Sequence, residues 1–182
     1  MLDNKMLKEL NQQIQEETYS SYIYLAMAAW LEENGYKGMA TWMRVQAREE
    51  KIHADIFYNY IMGRGGHVKL EAIDAPPDSW ESPLELFKAA YAHEERITGR
   101  INHMVDVAMN VKDHATYQML QWFVEEQVEE EANVGEAVQQ LSIVGSEGRG
   151  ILMVDREMSA RIYSVPASAP WCSCGFYGST PH

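Results

Sequence analysis

Six polar residues interrupt what are otherwise apolar helix faces: Glu17, Glu50, His53, Glu94, Gln127 and Glu130. Glu50 and His53 stand three residues apart, so a carboxylate oxygen and an imidazole nitrogen can reach one centre from one helix face. Carboxylate oxygens with a single imidazole suit iron or manganese better than a thiolate-rich structural zinc site. Several glutamates on facing helices can also bridge two metals. The residue types therefore favour a two-metal centre capable of two-electron chemistry with oxygen.

The apolar residues around these positions recur at alternating three- and four-residue spacing, which is typical of helices that face a common core. The breaks between them contain Asn34-Gly35, the Gly- and Pro-containing stretch 63–82, Asn110 to Asp113, and Gly145 to Gly150. Ser82-Pro83-Leu84-Glu85 has the composition of a helix-capping box. The pattern predicts helices at about 4–34, 38–63, 83–110, 114–143 and 148–163.

The polar positions also fall at matching heights along these helices. Glu17 lies 18 residues before Gly35 and Glu50 lies 15 after it. At about 1.5 Å of rise per residue, an antiparallel hairpin brings the two within about one turn of the same level. The connection 64–82 can reach roughly 60 Å when extended, which exceeds the length of any of the predicted helices. The sequence thus predicts an all-α, four-helix bundle with one long crossover and a short fifth C-terminal helix.

Composition and charge restrict the class of partner. The 182 residues carry 15 Lys and Arg against 27 Asp and Glu, for a net charge of −12. Such a chain is a poor ligand for nucleic acid or for an anionic membrane surface, whereas metal cations are natural partners. The longest uncharged apolar-rich stretch, Thr18 to Leu31, is too short to span a bilayer. With two late cysteines and no signal-peptide core, we expect a cytoplasmic protein.

A second acidic group borders the first and consists of Glu49, Glu126, Glu129 and Glu130. Runs of this kind are often solvated helix faces, but like charges one turn apart destabilise a bare helix. The residues alone leave open whether a further cation binds there. Tyr24 likewise has two interpretations, as an ordinary core tyrosine or as a hydrogen-bond or electron donor beside the metals.

Several longer segments together resemble a non-haem bacterial-type ferritin over residues 1 to 162. They are Glu17 to Tyr22 (ETYSSY), Arg48 to Ala54 (REEKIHA), His93-Glu94, Gln121 to Glu131 (QWFVEEQVEEE) and Gly150 to Ser159 (GILMVDREMS). The resemblance implies a 24-subunit shell that oxidises Fe(II) with O2 or H2O2 and stores the product as a ferric oxyhydroxide mineral.

The resemblance also implies the roles of individual residues in a ferroxidase centre. Glu17, Glu50 and His53 match the ligands of one iron, and Glu50 also bridges to a second. Glu94 and Glu130 match the second iron's ligands with Gln127 beside them, and Tyr24 matches a tyrosine near the centre. Glu49, Glu126, Glu129 and Glu130 match a third iron site. Lys51 stands where the haem-binding relatives have methionine, so no haem is expected.

The sequence departs from the family pattern at its end, where residues 164–182 form an atypical extension containing Cys172 and Cys174. We therefore divide the chain into a ferritin-like di-iron domain at 1–163 and this extension. We also expect the apolar side of the fifth helix to pack outside its own bundle. Two other functions remain open from the residues alone: a di-iron oxidase or peroxidase without mineral storage, and a structural bundle without metal.

Overall fold

Five helices form the protein in the computed structural model, which describes residues 2–145, 148–162 and 169–171. They are α1 (Asn4–Glu33), α2 (Lys37–Gly63), α3 (Pro83–Asn110), α4 (His114–Val144) and α5 (Arg149–Met158). The described ranges contain no β-strand. The all-α prediction is confirmed, and the first four helices begin and end within one residue of their predicted bounds.

The fifth helix is shorter than the predicted 148–163. After Met158 the backbone tightens, with Ala160 N–H donating to Glu157 O at 3.1 Å and Arg161 N–H to Met158 O at 3.3 Å. The Ser159 hydroxyl also donates to Arg156 O at 2.6 Å. These bonds between residues three apart replace the α-helical pattern and end the helix, so the prediction that it extends to 163 was wrong.

Helix caps have the predicted chemistry at several ends. The Ser82 side chain accepts a hydrogen bond from Glu85 N–H at 3.2 Å, and Pro83 occupies the first turn of α3. Gly35 and Gly145 have φ angles of 88° and 70°, which a residue with a side chain rarely adopts. These two glycines therefore allow the chain to turn sharply after α1 and α4.

Residues 64–82 cross the whole length of the bundle beside α1. Near one end of α1, Asn11 donates to the carbonyl of His67 at 3.1 Å. Near the other end, the rings of Trp30 and Trp80 lie 6.1 Å apart. Because this connection returns the chain to the end at which α2 began, α2 and α3 run in the same direction, as the long crossover predicted.

The interior has two apolar regions separated by polar residues. One apolar cluster joins the C-terminal half of α1 and the first half of α2 to α5. The other lies at the opposite end of the bundle and includes the N-terminal half of α1 and the second half of α2. Between them lies a polar band, which we define as Gln13, Glu17, Ser20, Gln46, Glu50, His53, His93, Glu94, Gln127 and Glu130, all buried. The four long helices thus bring four glutamates to one level inside an otherwise apolar core.

Helix α5 packs on its own bundle, contrary to the expectation stated above. Ile151, Val154 and Met158 are buried in the apolar cluster that includes Trp42. Gly38 permits this contact, because a Cβ atom there would lie 1.6 Å from the backbone oxygen of Asp155. The Asp155 carboxylate also accepts from Met39 N–H at 2.9 Å, at the N-terminus of α2. Leu152, Met153 and Ile162 remain exposed.

Three residues of the extension are described, 169–171, and Trp171 lies against the C-terminal end of α2. The ring of Trp171 lies 5.4 Å from that of Tyr60, and the Asn59 amide donates to the Trp171 carbonyl at 3.2 Å. Cys172 and Cys174 lie outside the described residues, and the division into 1–163 and 164–182 stays a prediction. In the part of the chain that the structure describes, every helix is too short or too polar to cross a membrane.

Candidate metal centre

Burial sets the electrostatics of the polar band. The side chains of Glu17, Glu50, Glu94 and Glu130 are between 1% and 3% exposed. Burial, reinforced by repulsion from neighbouring carboxylates, raises the pKa of Glu50 well above its usual range and that of Glu94 to about 8. Burial also raises the pKa of Glu130. Four carboxylates at one level are thus unfavourable in ionised form unless a cation accompanies them.

The first group that could hold a metal consists of Glu17, Glu50 and His53, whose candidate ligand atoms all lie within 4.8 Å of one another. Glu50 Oε2 is 3.6 Å from His53 Nδ1. The Glu17 Oε2 atom is buried and has no hydrogen-bond partner. An unpartnered carboxylate oxygen beside a carboxylate and an imidazole is the arrangement that a bound cation would complete. The structure thus brings together the residues predicted to hold the first metal.

Aromatic rings hold the imidazole of His53 in place. Trp122 and Phe123 each lie 5.7 Å from the His53 ring centre, in edge-to-face geometry. Burial opposes the charged imidazolium, but the nearby carboxylates of Glu126 and Glu50 outweigh this and raise the pKa of His53 well above its usual value. In the metal-free protein, this imidazolium offsets part of the negative charge of the carboxylates.

Glu94 is held by two hydrogen-bond donors on other helices. The Tyr24 hydroxyl donates to Glu94 Oε1, and the Gln127 amide donates to Oε2 at 3.3 Å. Tyr24 is fully buried, and burial together with the negative charge of Glu94 raises its pKa well above 10. The tyrosine therefore stays protonated and keeps its proton directed at the carboxylate. Both residues predicted to accompany Glu94 contact it.

Glu130 belongs to a second group of candidate ligands, with His53 and Glu126. Glu126 Oε1 is 3.8 Å from His53 Nε2. The Gln46 amide donates to Glu130 Oε2 at 2.8 Å and to Glu50 Oε1 at 3.0 Å. The Gln46 side chain therefore joins a carboxylate of α2 to one of α4. Its own carbonyl oxygen is buried without a hydrogen-bond partner.

The third predicted iron site is brought together only in part. Glu126 and Glu130 lie in the group just described, but Glu129 is exposed on the bundle surface. Glu49 instead forms an ion pair with Arg161. Burial raises the pKa of Glu49 to about 7, although Arg161 acts in the opposite direction.

Sequence reasoning missed two glutamines that position the ligands. Gln13 donates to Glu17 Oε1 at 2.9 Å, and Gln46 donates to Glu50 Oε1 at 3.0 Å. Both stand four residues before the glutamate that they bind, which is the spacing of facing side chains on a helix. This repeated spacing of glutamine and glutamate was the signal in the sequence that could have identified both glutamines. Arg161 was missed as well, because its contact with Glu49 depends on how the chain turns after α5.

His93 has a structural role in the band. Its Nε2 atom lies 2.8 Å from the Ser20 hydroxyl, and burial, with a smaller effect from Arg96, lowers the pKa of His93 to about 4. The neutral ring adds no positive charge to the carboxylates. It packs edge-on against the Tyr24 ring at 5.9 Å and so helps to orient that hydroxyl.

The ferritin-like domain family matches residues 7–144 of this chain. The chain belongs to the ferritin family. Bacterial non-heme ferritin of Staphylococcus aureus (strain USA300) is 35% identical over 163 residues, which cover 90% of this chain and 98% of that protein. The protein of the same name from Staphylococcus saprophyticus is 37% identical over the same share of both chains.

Solved ferritin structures show the same fold. A closed form of Archaeoglobus fulgidus ferritin, engineered by site-directed mutagenesis, has a TM-score of 0.89 at 44% identity and covers 90% of this chain and all of its own. The open pore ferritin of the same archaeon has a TM-score of 0.88 at 46% identity and covers 89% of this chain. These likenesses confirm the prediction of a ferritin-like four-helix bundle.

Proposed function

We propose that this protein stores iron, and that it oxidises Fe(II) at a two-iron centre in the polar band. Glu17, Glu50 and His53 bind the first Fe(II). Glu50, Glu94 and Glu130 bind the second, with Gln127 beside it. Membership of the ferritin family supports the role in iron storage.

One observation carries the two-iron assignment: four buried carboxylates converge at one level, and of the two imidazoles in the polar band that of His53 lies among the candidate ligands. Burial and neighbouring carboxylates raise the pKa values of Glu50 and Glu94 because the ionised forms are unfavourable there, and two divalent cations would stabilise those ionised forms. Hard carboxylate oxygens with one imidazole nitrogen suit Fe(II). The unpartnered Glu17 Oε2 atom supplies a ligand position that no protein group uses.

The electron balance of the reaction needs two irons. Each Fe(II) gives up one electron, and O2 with two protons accepts the pair to give H2O2, leaving two Fe(III). H2O2 is itself a two-electron acceptor and could replace O2 as the oxidant. The chain's own residues hold the two irons at one level, keep Tyr24 protonated beside Glu94, and enclose the site in apolar walls.

A third iron position lies toward Glu126, which with Glu130 and His53 forms the second candidate group. We include Glu49 and Glu129 in this site because the family resemblance implies them, with Glu126 and Glu130 as its inner members. We expect no haem. Lys51, at the haem-specific position, pairs with Asp55 at 3.1 Å on the surface of α2.

Assembly into a 24-subunit shell completes the proposal, since a mineral needs an enclosed space. The apolar side chains that α5 leaves exposed, Leu152 and Met153, are candidates for contacts between subunits. Fe(II), the oxidant and further copies of this chain are the proposed partners.

Loss of a single ligand tests the two-iron assignment. In stopped-flow absorbance measurements after mixing with Fe(II) in air, Glu50→Ala and His53→Ala should lack the rapid oxidation phase. His103→Ala is the matched control, because His103 is an exposed histidine on α3 and its loss should leave the phase unchanged. Rapid oxidation at the wild-type rate in both ligand variants would overturn the assignment.

A further inference from the structure

Arg161 reaches back from beyond α5 to the edge of the polar band. Its guanidinium forms an ion pair with Glu49, and both side chains are more than 80% buried. The guanidinium carbon lies 4.0 Å from the centre of the Trp42 ring, within the range of a cation–π contact. Its Nη1 atom is buried without a hydrogen-bond partner. The proposed two-iron reaction makes no use of this residue.

The position of Arg161 places a permanent positive charge where the third iron is proposed to bind. Glu49 lies within electrostatic range of Glu126, Glu130 and His53, and Arg161 lies within range of Glu130. A guanidinium remains charged at any pH that proteins tolerate. Its hydrogen bond to Glu49 Oε2 and its positive charge both oppose metal binding at that carboxylate, so a metal ion there competes with the guanidinium.

A neighbouring cleft gives the guanidinium a second place to lie. The cleft has a volume of about 330 Å³, and Arg161 and Trp42 form part of its wall. Glu136 and Glu157 also line it, with the polar side chains of Asn133 and Gln140. Rotation of the flexible arginine side chain into this cleft would exchange one carboxylate partner for another. In the cleft the guanidinium would again lie near carboxylates, so the movement would not leave Arg161 without a charged partner.

We propose that Arg161 is a built-in competitor for the third iron position, holding Glu49 until Fe(II) displaces it into the cleft lined by Glu136 and Glu157. This inference rests on the proposed function, since it concerns the same metal sites. Because Fe(II) must compete with Arg161 at the third position, that position has the lowest affinity of the three and is filled after the two-iron centre. The centre therefore loads in a fixed order.

Zinc titration tests this order without any redox reaction. Isothermal calorimetry of the intact metal-free protein at constant pH should resolve two tight Zn(II) ions and a weaker third. Arg161→Gln should strengthen the third step by about tenfold and change the first two by less than twofold. Arg161→Lys, which keeps the charge but not the planar fork, should fall between. Arg156→Gln is the matched control, because Arg156 is an exposed arginine on α5.

Tryptophan fluorescence supplies an independent measurement. The third Zn(II) equivalent should change the emission of the wild type as the guanidinium leaves the face of Trp42, and Trp42→Phe should abolish that change. A third affinity in Arg161→Gln that equals or falls below the wild-type value would overturn the inference, as would two tight ions with no third in any variant. Neither result would affect the two-iron centre. Absence of tight Zn(II) binding altogether would overturn the proposed function as well.

Discussion

Replacing Glu94 with glutamine should make the stability of the metal-free protein less dependent on pH. Burial and the charge of Glu130 raise the pKa of Glu94 from its ordinary 4.5 to about 8. The folded protein then binds this proton more tightly than the unfolded chain does. The stabilisation is complete below pH 4.5 and is lost as the pH rises through about 8.

The size of the effect follows from the shift in pKa. Between pH 4.5 and pH 7 the wild type loses about 3 kcal/mol of unfolding free energy through Glu94, at 1.36 kcal/mol per pH unit. For a chain of this length, that corresponds to roughly 6 to 12 °C in melting temperature. Glutamine cannot ionise, but its carbonyl oxygen can still accept the hydrogen bond from Tyr24. Its absence of charge also eases ionisation of the neighbouring carboxylates.

The assay is the melting temperature of metal-free wild type and Glu94→Gln from pH 5 to pH 8, by circular dichroism with a chelator present. The wild type should lose stability more steeply than the variant as pH rises. Glu95→Gln is the matched control, since Glu95 is the exposed neighbour on the same helix, and its slope should equal that of the wild type. An unchanged slope in Glu94→Gln would show that Glu94 holds no proton in the folded protein, which would refute this account of the polar band.

Two further pairs of substitutions test the packing of α5 and the third site. Gly38→Ala should destabilise the protein by about 1–3 kcal/mol in chemical denaturation, because the new Cβ atom meets the Asp155 backbone. Gly99→Ala, in a helix with open space around it, should instead stabilise by about 0.5–1 kcal/mol; equal effects would contradict the close α2–α5 contact. Glu126→Gln should spare the first rapid oxidation of two irons but change the iron consumed per O2, and Glu129→Gln, at an exposed position, should change it less. A larger effect at Glu129 would reverse the proposed order of importance within the third site.

Most of the fold could be predicted because it depends on local signals that repeat along the chain. The three- and four-residue apolar spacing and the capping residues at Ser82 and Gly145 are properties of short segments. The matching heights of Glu17 and Glu50 then followed from helix geometry and one short turn. The long crossover followed from the length of residues 64–82.

The features that were missed depend on contacts between distant segments. The packing of α5 onto its own bundle requires Gly38 to admit the backbone of Asp155, and these two residues are more than a hundred positions apart. The pairing of Arg161 with Glu49 depends on where the chain turns after Met158. Gln13 and Gln46 carried a local signal in their four-residue spacing to Glu17 and Glu50. That signal becomes meaningful only once those glutamates are known to be buried.

The central claim, that the chain both oxidises and stores iron, is tested most directly by the native mass of the particle after loading with Fe(II) in air, with iron counted on the same sample. The account predicts a particle whose protein shell weighs about 500 kDa, corresponding to 24 copies of the 20.8 kDa chain. It also predicts far more iron per chain than three ligand sites can hold. A monomer or dimer retaining no more than two or three irons per chain would contradict storage and indicate a di-iron oxidase instead.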